Sequence, residues 1–184
     1  MTALLRKATV DDLLQVPNHG KAELVHGEIV SMPPTGGDPG RTAGDIYASL
    51  RQYERQSGNG FAYPDNVGFR VNLPHRASFS PDAAFHIGLR TGMKYLEGAP
   101  VFAVEVRSEN DYGPEAELQM AEKRRDYFAA GTLVVWDVDL LSESVVKVYR
   151  STDPESPTVY HRGEIAEAEP AVPGWTIPVD NLFT

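Results

Sequence analysis

The chain contains no cysteine. That excludes disulfides, thiolate metal sites and cysteine nucleophiles, and it suits a reducing, cytoplasmic setting. Long apolar runs are missing too. No stretch approaches the ~20 consecutive apolar residues that a membrane-spanning helix requires. The opening residues, MTALLRKATVDDLL, lack the apolar run of a signal peptide. A soluble protein with no membrane partner is therefore expected. Nor is there a surplus of positive charge, since 17 Lys and Arg stand against 26 Asp and Glu, for a formal net charge of −9. Proteins that coat nucleic acid usually carry a basic face, so that class is disfavoured. A nuclease survives the same test, because carboxylates that hold divalent metals are themselves negative and a local Arg/Lys cluster is enough to contact a phosphate backbone.

Several catalytic signatures are also absent. The five histidines, His19, His26, His75, His86 and His161, show neither HxH nor HExxH spacing, which argues against a zinc site. There is no G-x-S-x-G elbow and no P-loop, and Gly36-Gly37 is too short to cradle a phosphate. Internal repeats and low-complexity tracts are missing as well.

What remains is 184 residues, 41% of them hydrophobic, enough to bury one core and to predict a single domain over 1–184. Thr9 ahead of Asp11 and Asp12 predicts a capped helix reaching Leu14. Residues 22–30 read as a hairpin around His26-Gly27, and residues 33–40 as a Gly/Pro loop. Ile46, Leu50 and Tyr53 recur at helical spacing, which predicts a helix over 42–56 with Gly58 as its stop. Strands are expected over 67–73, 80–87 and 101–108. Residues 114–130 form the clearest helix, with Pro114 in the first turn and Gly131 just past the end. Strands at 132–138 and 145–149 follow. The tail from 166 to 184 is expected to pack through Trp175, Ile177, Val179, Leu182 and Phe183. This order predicts an α/β (mixed α+β) fold, a mixed sheet flanked by helices.

Three charged residues sit where the local pattern disfavours charge. The run Val101-Phe102-Ala103-Val104-Glu105-Val106 is apolar enough to be buried on both faces, and a carboxylate there is costly without a cationic or metal partner. The plain alternative is an ion pair between Glu105 and Arg107. Asp82 follows Pro81 at a strand start, where a turn or capping role would also explain it. Lys123 is the one charge in a helical stripe with Ala116, Met120, Tyr127 and Ala130, and the alternative is a lysine snorkelling to water. Together the three suit one chemistry: two carboxylates on neighbouring strands to hold Mg²⁺ or Mn²⁺, and an ammonium to orient water or steady a scissile phosphate.

The chain resembles the Uma2-like restriction endonucleases of the PD-(D/E)XK nuclease superfamily. The likeness is carried, in order, by residues 22–30 (AELVHGEIV), Ser80-Pro81-Asp82, residues 101–108 (VFAVEVRS), Lys123-Arg124-Arg125-Asp126-Tyr127, Val134-Val135-Trp136-Asp137-Val138, and Pro173-Gly174-Trp175 with Leu182-Phe183. It implies a restriction-endonuclease-like core, Asp82 and Glu105 as the metal-binding pair, and Lys123 as the lysine moved from its usual place two residues after the glutamate. Arg107 occupies that place here, and an arginine stays protonated and cannot act as a base. The resemblance also implies Glu23 as the early acidic residue of the metal set, with Glu28 and Asp45 as competitors. DNA is the implied substrate and a homodimer the implied assembly; the competing reading is a non-catalytic binding module on the same scaffold. Two departures stand out. Arg41-Thr42-Ala43-Gly44-Asp45 lacks the histidine many members carry near the second helix, and Ser108-Glu109 replaces their Ser-Pro.

Overall fold

A computed structural model describes residues 7–13, 15 and 20–183. The elements run α1 (Val10–Leu13), β1 (Ala22–Val25), β2 (Glu28–Ser31), α2 (Gly37–Ser57), β3 (Phe61–Pro64), β4 (Phe69–Arg70), β5 (Ser78–Phe79) and β6 (Ala83–His86). They continue with β7 (Leu96–Glu97), β8 (Phe102–Val106), α3 (Pro114–Ala129), β9 (Val134–Val138), β10 (Val146–Arg150), β11 (Asp153–Tyr160), β12 (Ile165–Glu167) and β13 (Thr176–Pro178). A 3₁₀ turn, Val179–Phe183, closes the chain.

Six strands make the main sheet, in the order β11-β10-β9-β8-β6-β3. Only β8 and β9 are parallel; the other neighbours are antiparallel. A parallel pair needs a crossover connection, and α3 supplies it. Alternation along β8 then divides the core. Phe102, Val104 and Val106 point to one face, where they meet Ile46 and Leu50 of α2. Ala103 points to the other, with Tyr127 of α3 and with Phe69, Phe79 and Leu96 of the small β5-β4-β7 sheet. Both faces are covered, which is why this strand tolerates an almost unbroken apolar run.

The expected tail packing holds except at Phe183, which is exposed. Ala166, Ala168, Val172, Trp175, Ile177 and Leu182 join the α2-side core. Trp136, Phe102 and Trp175 pack with ring centroids 5.2 to 5.6 Å apart. Each buried indole N–H finds an acceptor, Trp136 at the Glu167 carbonyl and Trp175 at Ser49 Oγ, as such groups require.

Local signals account for most element ends. Thr9 and Asp12 cap α1 reciprocally: the Asp12 N–H donates to Thr9 Oγ1 (3.3 Å) and the Thr9 N–H to Asp12 Oδ2 (2.6 Å). The expected C-terminal residue Leu14, like His19, lies outside the described residues. His26 and Gly27, at φ 52° and 79°, form the β1–β2 turn, a pair of positive values that matches the twist of a two-residue hairpin. Gly58, at φ 68°, ends α2 and donates its N–H to the Glu54 carbonyl.

Three expectations need correction. Residues 37–40 are already helical, because Gly and Pro are tolerated in a first turn whose N–H groups lack intrahelical partners. The strand expected over 67–73 shrinks to Phe69–Arg70. The strand expected over 80–87 shortens to β6, with Ser80-Pro81-Asp82 separating it from β5; Pro81 has no N–H to give a ladder, and the Ser80 N–H is taken by Glu23 Oε1 (2.9 Å). The pattern also concealed β3, an edge strand ending in Pro64, which a sheet edge accommodates.

Candidate functional site

The break between β5 and β6 and the end of β8 bring two acidic residues together. Ala83 pairs with Val104, so Asp82 lies one residue beyond that rung, beside Glu105. Its N–H donates to the Val104 carbonyl (3.0 Å), and its Oδ2 accepts the Val106 N–H (2.7 Å). The backbone of β8 thus fixes the Asp82 carboxylate. Glu105 projects from the same face as Ala103, towards α3. There Lys123 and Tyr127, four residues apart on one helical face, both reach it. Lys123 Nζ lies 2.9 Å from the Glu105 carboxylate, and Tyr127 Oη donates to Oε1 at 2.6 Å. The Tyr127 ring stacks on Phe79, with centroids 4.0 Å apart, so the hydroxyl is held by packing.

Glu23 comes from β1 and is the third acid at this point. Its Oε1 is 2.9 Å from Lys123 Nζ and accepts the Ser80 N–H, and its Oε2 accepts from Arg76 Nη1 at 2.6 Å. The buried Arg76 guanidinium also donates through Nε to Asp126 Oδ2 (2.7 Å), and His75 Nε2 lies 2.6 Å from Asp126 Oδ1. Arg76 therefore ties β1 to α3 three residues from Lys123. Glu28, the first competitor, is exposed on β2, and Asp45 is carried by α2. Among the described residues the ion-pair partners of Lys123 are Glu23 and Glu105.

The electrostatics separate the two acids. Burial pushes the Glu105 carboxyl above its ordinary value and the Asp82 charge adds to this, against the pull of Lys123 and Lys21. Burial pushes Glu23 the same way, but Lys123, Arg76 and the Ser80 N–H outweigh it and hold Glu23 below the usual range. Lys123 is raised: burial opposes its charge, while Glu105 and Glu23 more than compensate. Burial, with the charges of Glu105 and Glu23, raises Tyr127 well above its ordinary value. The site near neutral pH thus holds a charged ammonium and a protonated phenol around Glu105.

One further residue escaped the sequence reading. Lys21, immediately before β1, donates from Nζ to Asp82 Oδ1 at 2.5 Å and lies 2.8 Å from Asp65. The signal was available, since Lys21 and Glu23 alternate onto one face of the hairpin; what the sequence withholds is that this face meets Asp82. A cleft of about 120 Å³ opens beside Asp82 and Asp65, lined on the α2 side by Gly40, Ala43 and Gly44. A larger one, about 580 Å³, lies between α1, β4 and the end of α3. It includes none of the residues above, so size does not mark the site.

Among the described residues no group of three or more His, Asp or Glu side chains stands arranged to hold a metal ion. The donor chemistry of the pair Asp82–Glu105 nevertheless fits an oxygen-seeking divalent cation. Both offer carboxylate oxygens on side chains 18 and 25% exposed, and the nitrogens of Lys21 and Lys123 already lie against them. Glu23 fits less directly, because both of its oxygens are engaged.

The model of the Uma2 family, described as "Putative restriction endonuclease", matches residues 10–180. The chain belongs to the Uma2 family. Its fold is similar to the crystal structure of a "putative nuclease belonging to DUF820" from Anabaena variabilis, with a TM-score of 0.73 at 18% identity, over 95% of this chain and 97% of that one. No curated protein matches the chain. Family and fold indicate a restriction-endonuclease-like nuclease, and among the described residues no helix is long and apolar enough to cross a membrane.

Within this Uma2 chain the departures now have locations. Arg107 does not pair with Glu105. Its Nε and Nη2 donate to the two oxygens of Asp137 (2.8 and 2.7 Å), and Glu117 of α3 closes the other side. The Ser108 N–H and hydroxyl both donate to Asp111, which turns the chain after β8. In the segment that lacks the expected histidine, Ala43 and Gly44 of α2 line the cleft beside Asp82. Arg124 lies over the Tyr149 ring at 3.7 Å, and His86 is buried against Phe69 and Tyr63.

Proposed function

We propose that this Uma2 protein is a metal-dependent endonuclease that hydrolyses phosphodiester bonds in DNA. The observation that carries the reading is the convergence of Glu105, Lys123 and Glu23 within hydrogen-bonding distance beside Asp82. Asp82 and Glu105 would hold Mg²⁺ or Mn²⁺, and such a cation supplies Lewis acidity to a water and to the scissile phosphate. Lys123 orients the attacking water or steadies the phosphoryl oxygens as charge builds on them. Tyr127 holds Glu105 in one rotamer. Glu23, engaged by Arg76, holds Lys123 and joins the metal set only if a partner lets go.

Supercoiled plasmid incubated with the protein is expected to be nicked or linearised when Mg²⁺ or Mn²⁺ is present and to stay intact with excess chelator. Cleavage that persists in chelator would remove the metal from the reading. Cutting both strands takes two such sites, which a homodimer supplies. Light scattering is expected to give twice the chain mass; a monomer at all concentrations would count against that assembly.

A further inference from the structure

The site contains an ammonium that the scheme above does not use. Lys21 lies 2.5 Å from Asp82 Oδ1 and 2.8 Å from Asp65, and its side chain is 15% exposed. The second oxygen of Asp82 is held by the Val106 N–H, so Oδ1 is the one left for a cation, and Lys21 covers it. An ammonium and a divalent ion on one oxygen repel strongly at such separations. One must move when the other binds. Asp82 cannot, being fixed to β8 through two backbone hydrogen bonds. Lys21 can, because its charge sits on a flexible four-carbon stem, and Asp65, at the more exposed rim of the same cleft, offers a second carboxylate.

We propose that Lys21 is a resident counter-ion of the carboxylate site: it neutralises Asp82 while no divalent cation is bound, gives way to the cation, and withdraws to Asp65. There it stands at the cleft rim, where it is placed to contact the substrate phosphate. This inference rests on the metal-dependent reading of Asp82 and Glu105.

Calorimetric titration of the full chain with Mn²⁺ tests it. Lys21→Gln is expected to bind Mn²⁺ about tenfold more tightly than wild type, since a like charge beside the cation is removed. The same variant is expected to gain more in melting temperature on Mn²⁺ addition, because the metal-free form has lost its counter-ion. Lys21→Arg keeps the charge and forks onto carboxylates, so it is expected to bind Mn²⁺ no more tightly than wild type; it also tests the proposal should Lys21→Gln fold poorly. Asp82→Asn is expected to abolish binding in either background. Equal or weaker binding by Lys21→Gln, with binding still lost in Asp82→Asn, overturns the counter-ion role and leaves the metal-dependent reading standing. Tighter binding by Lys21→Arg overturns it as well. Absence of Mn²⁺ binding in all variants, or binding indifferent to Asp82→Asn, overturns both.

Discussion

Replacing Glu105 by Gln is expected to reduce DNA cleavage by about 10³-fold or more while leaving the melting temperature unchanged or higher. The loss follows because the change deletes a charged metal ligand, and the charge stabilisation it supports is worth several kcal/mol in the transition state, with each 1.4 kcal/mol a factor of about ten. The gain follows from the surroundings. Burial pushes the Glu105 carboxyl above its ordinary value, and the Asp82 charge beside it adds to this. The amide keeps the shape, can still accept from the Tyr127 hydroxyl, and leaves Lys123 paired with Glu23. A group whose folded value is raised contributes stability that is present below its ordinary 4.5 and lost as pH rises through the raised value. The advantage of the variant should therefore widen from acid towards neutral pH. Thermal melts across that range, beside plasmid cleavage, measure both arms. A large drop in melting temperature would show that Glu105 serves the fold, and unimpaired cleavage would remove it from the chemistry.

Replacing Arg76 by Met is expected to destabilise the protein by about 3–5 kcal/mol, because removing one partner of a buried ion pair leaves the others uncompensated. At this chain length that lowers the melting temperature by roughly 10 °C. Arg76 and Glu23 are both buried, and Arg76 also holds Asp126, so two carboxylates each lose a cationic partner. Glu23 is held below its ordinary 4.5, so its contribution is present above that value and lost as pH falls through the depressed one. The gap between wild type and variant should shrink in acid. Adding Glu23→Gln to the variant should recover part of the loss, since the pair is coupled. Urea unfolding at two pH values gives these differences. A change under 1 kcal/mol would mean that Arg76 contributes little to the join between β1 and α3.

Much of this architecture could be read along the chain because it is written in periodicity. The single acid in the apolar run 102–106, the Pro-to-Gly span of α3, and the lone lysine in its apolar stripe all concern neighbours within a few residues, where backbone geometry fixes who shares a face. The broken strand at Ser80-Pro81-Asp82 was less legible. Its cause, the Ser80 N–H turning to Glu23, comes from a residue 57 positions away. Arg107 shows the same limit: two residues from Glu105 on one strand face, it chose Asp137 of the neighbouring strand and Glu117 of the helix instead.

By itself, then, the sequence determined which side chains are out of place for their element, and so proposed Asp82, Glu105 and Lys123. Tertiary structure alone decided that Glu23 meets Lys123, while Glu28 stays on an exposed strand, and that Lys21 covers Asp82 from 61 residues away. The physical reason is that alternation and helical spacing say which way a residue points. What it points at depends on how the sheet, hairpin and helix pack, and charges without an assigned partner take the nearest opposite one that packing delivers.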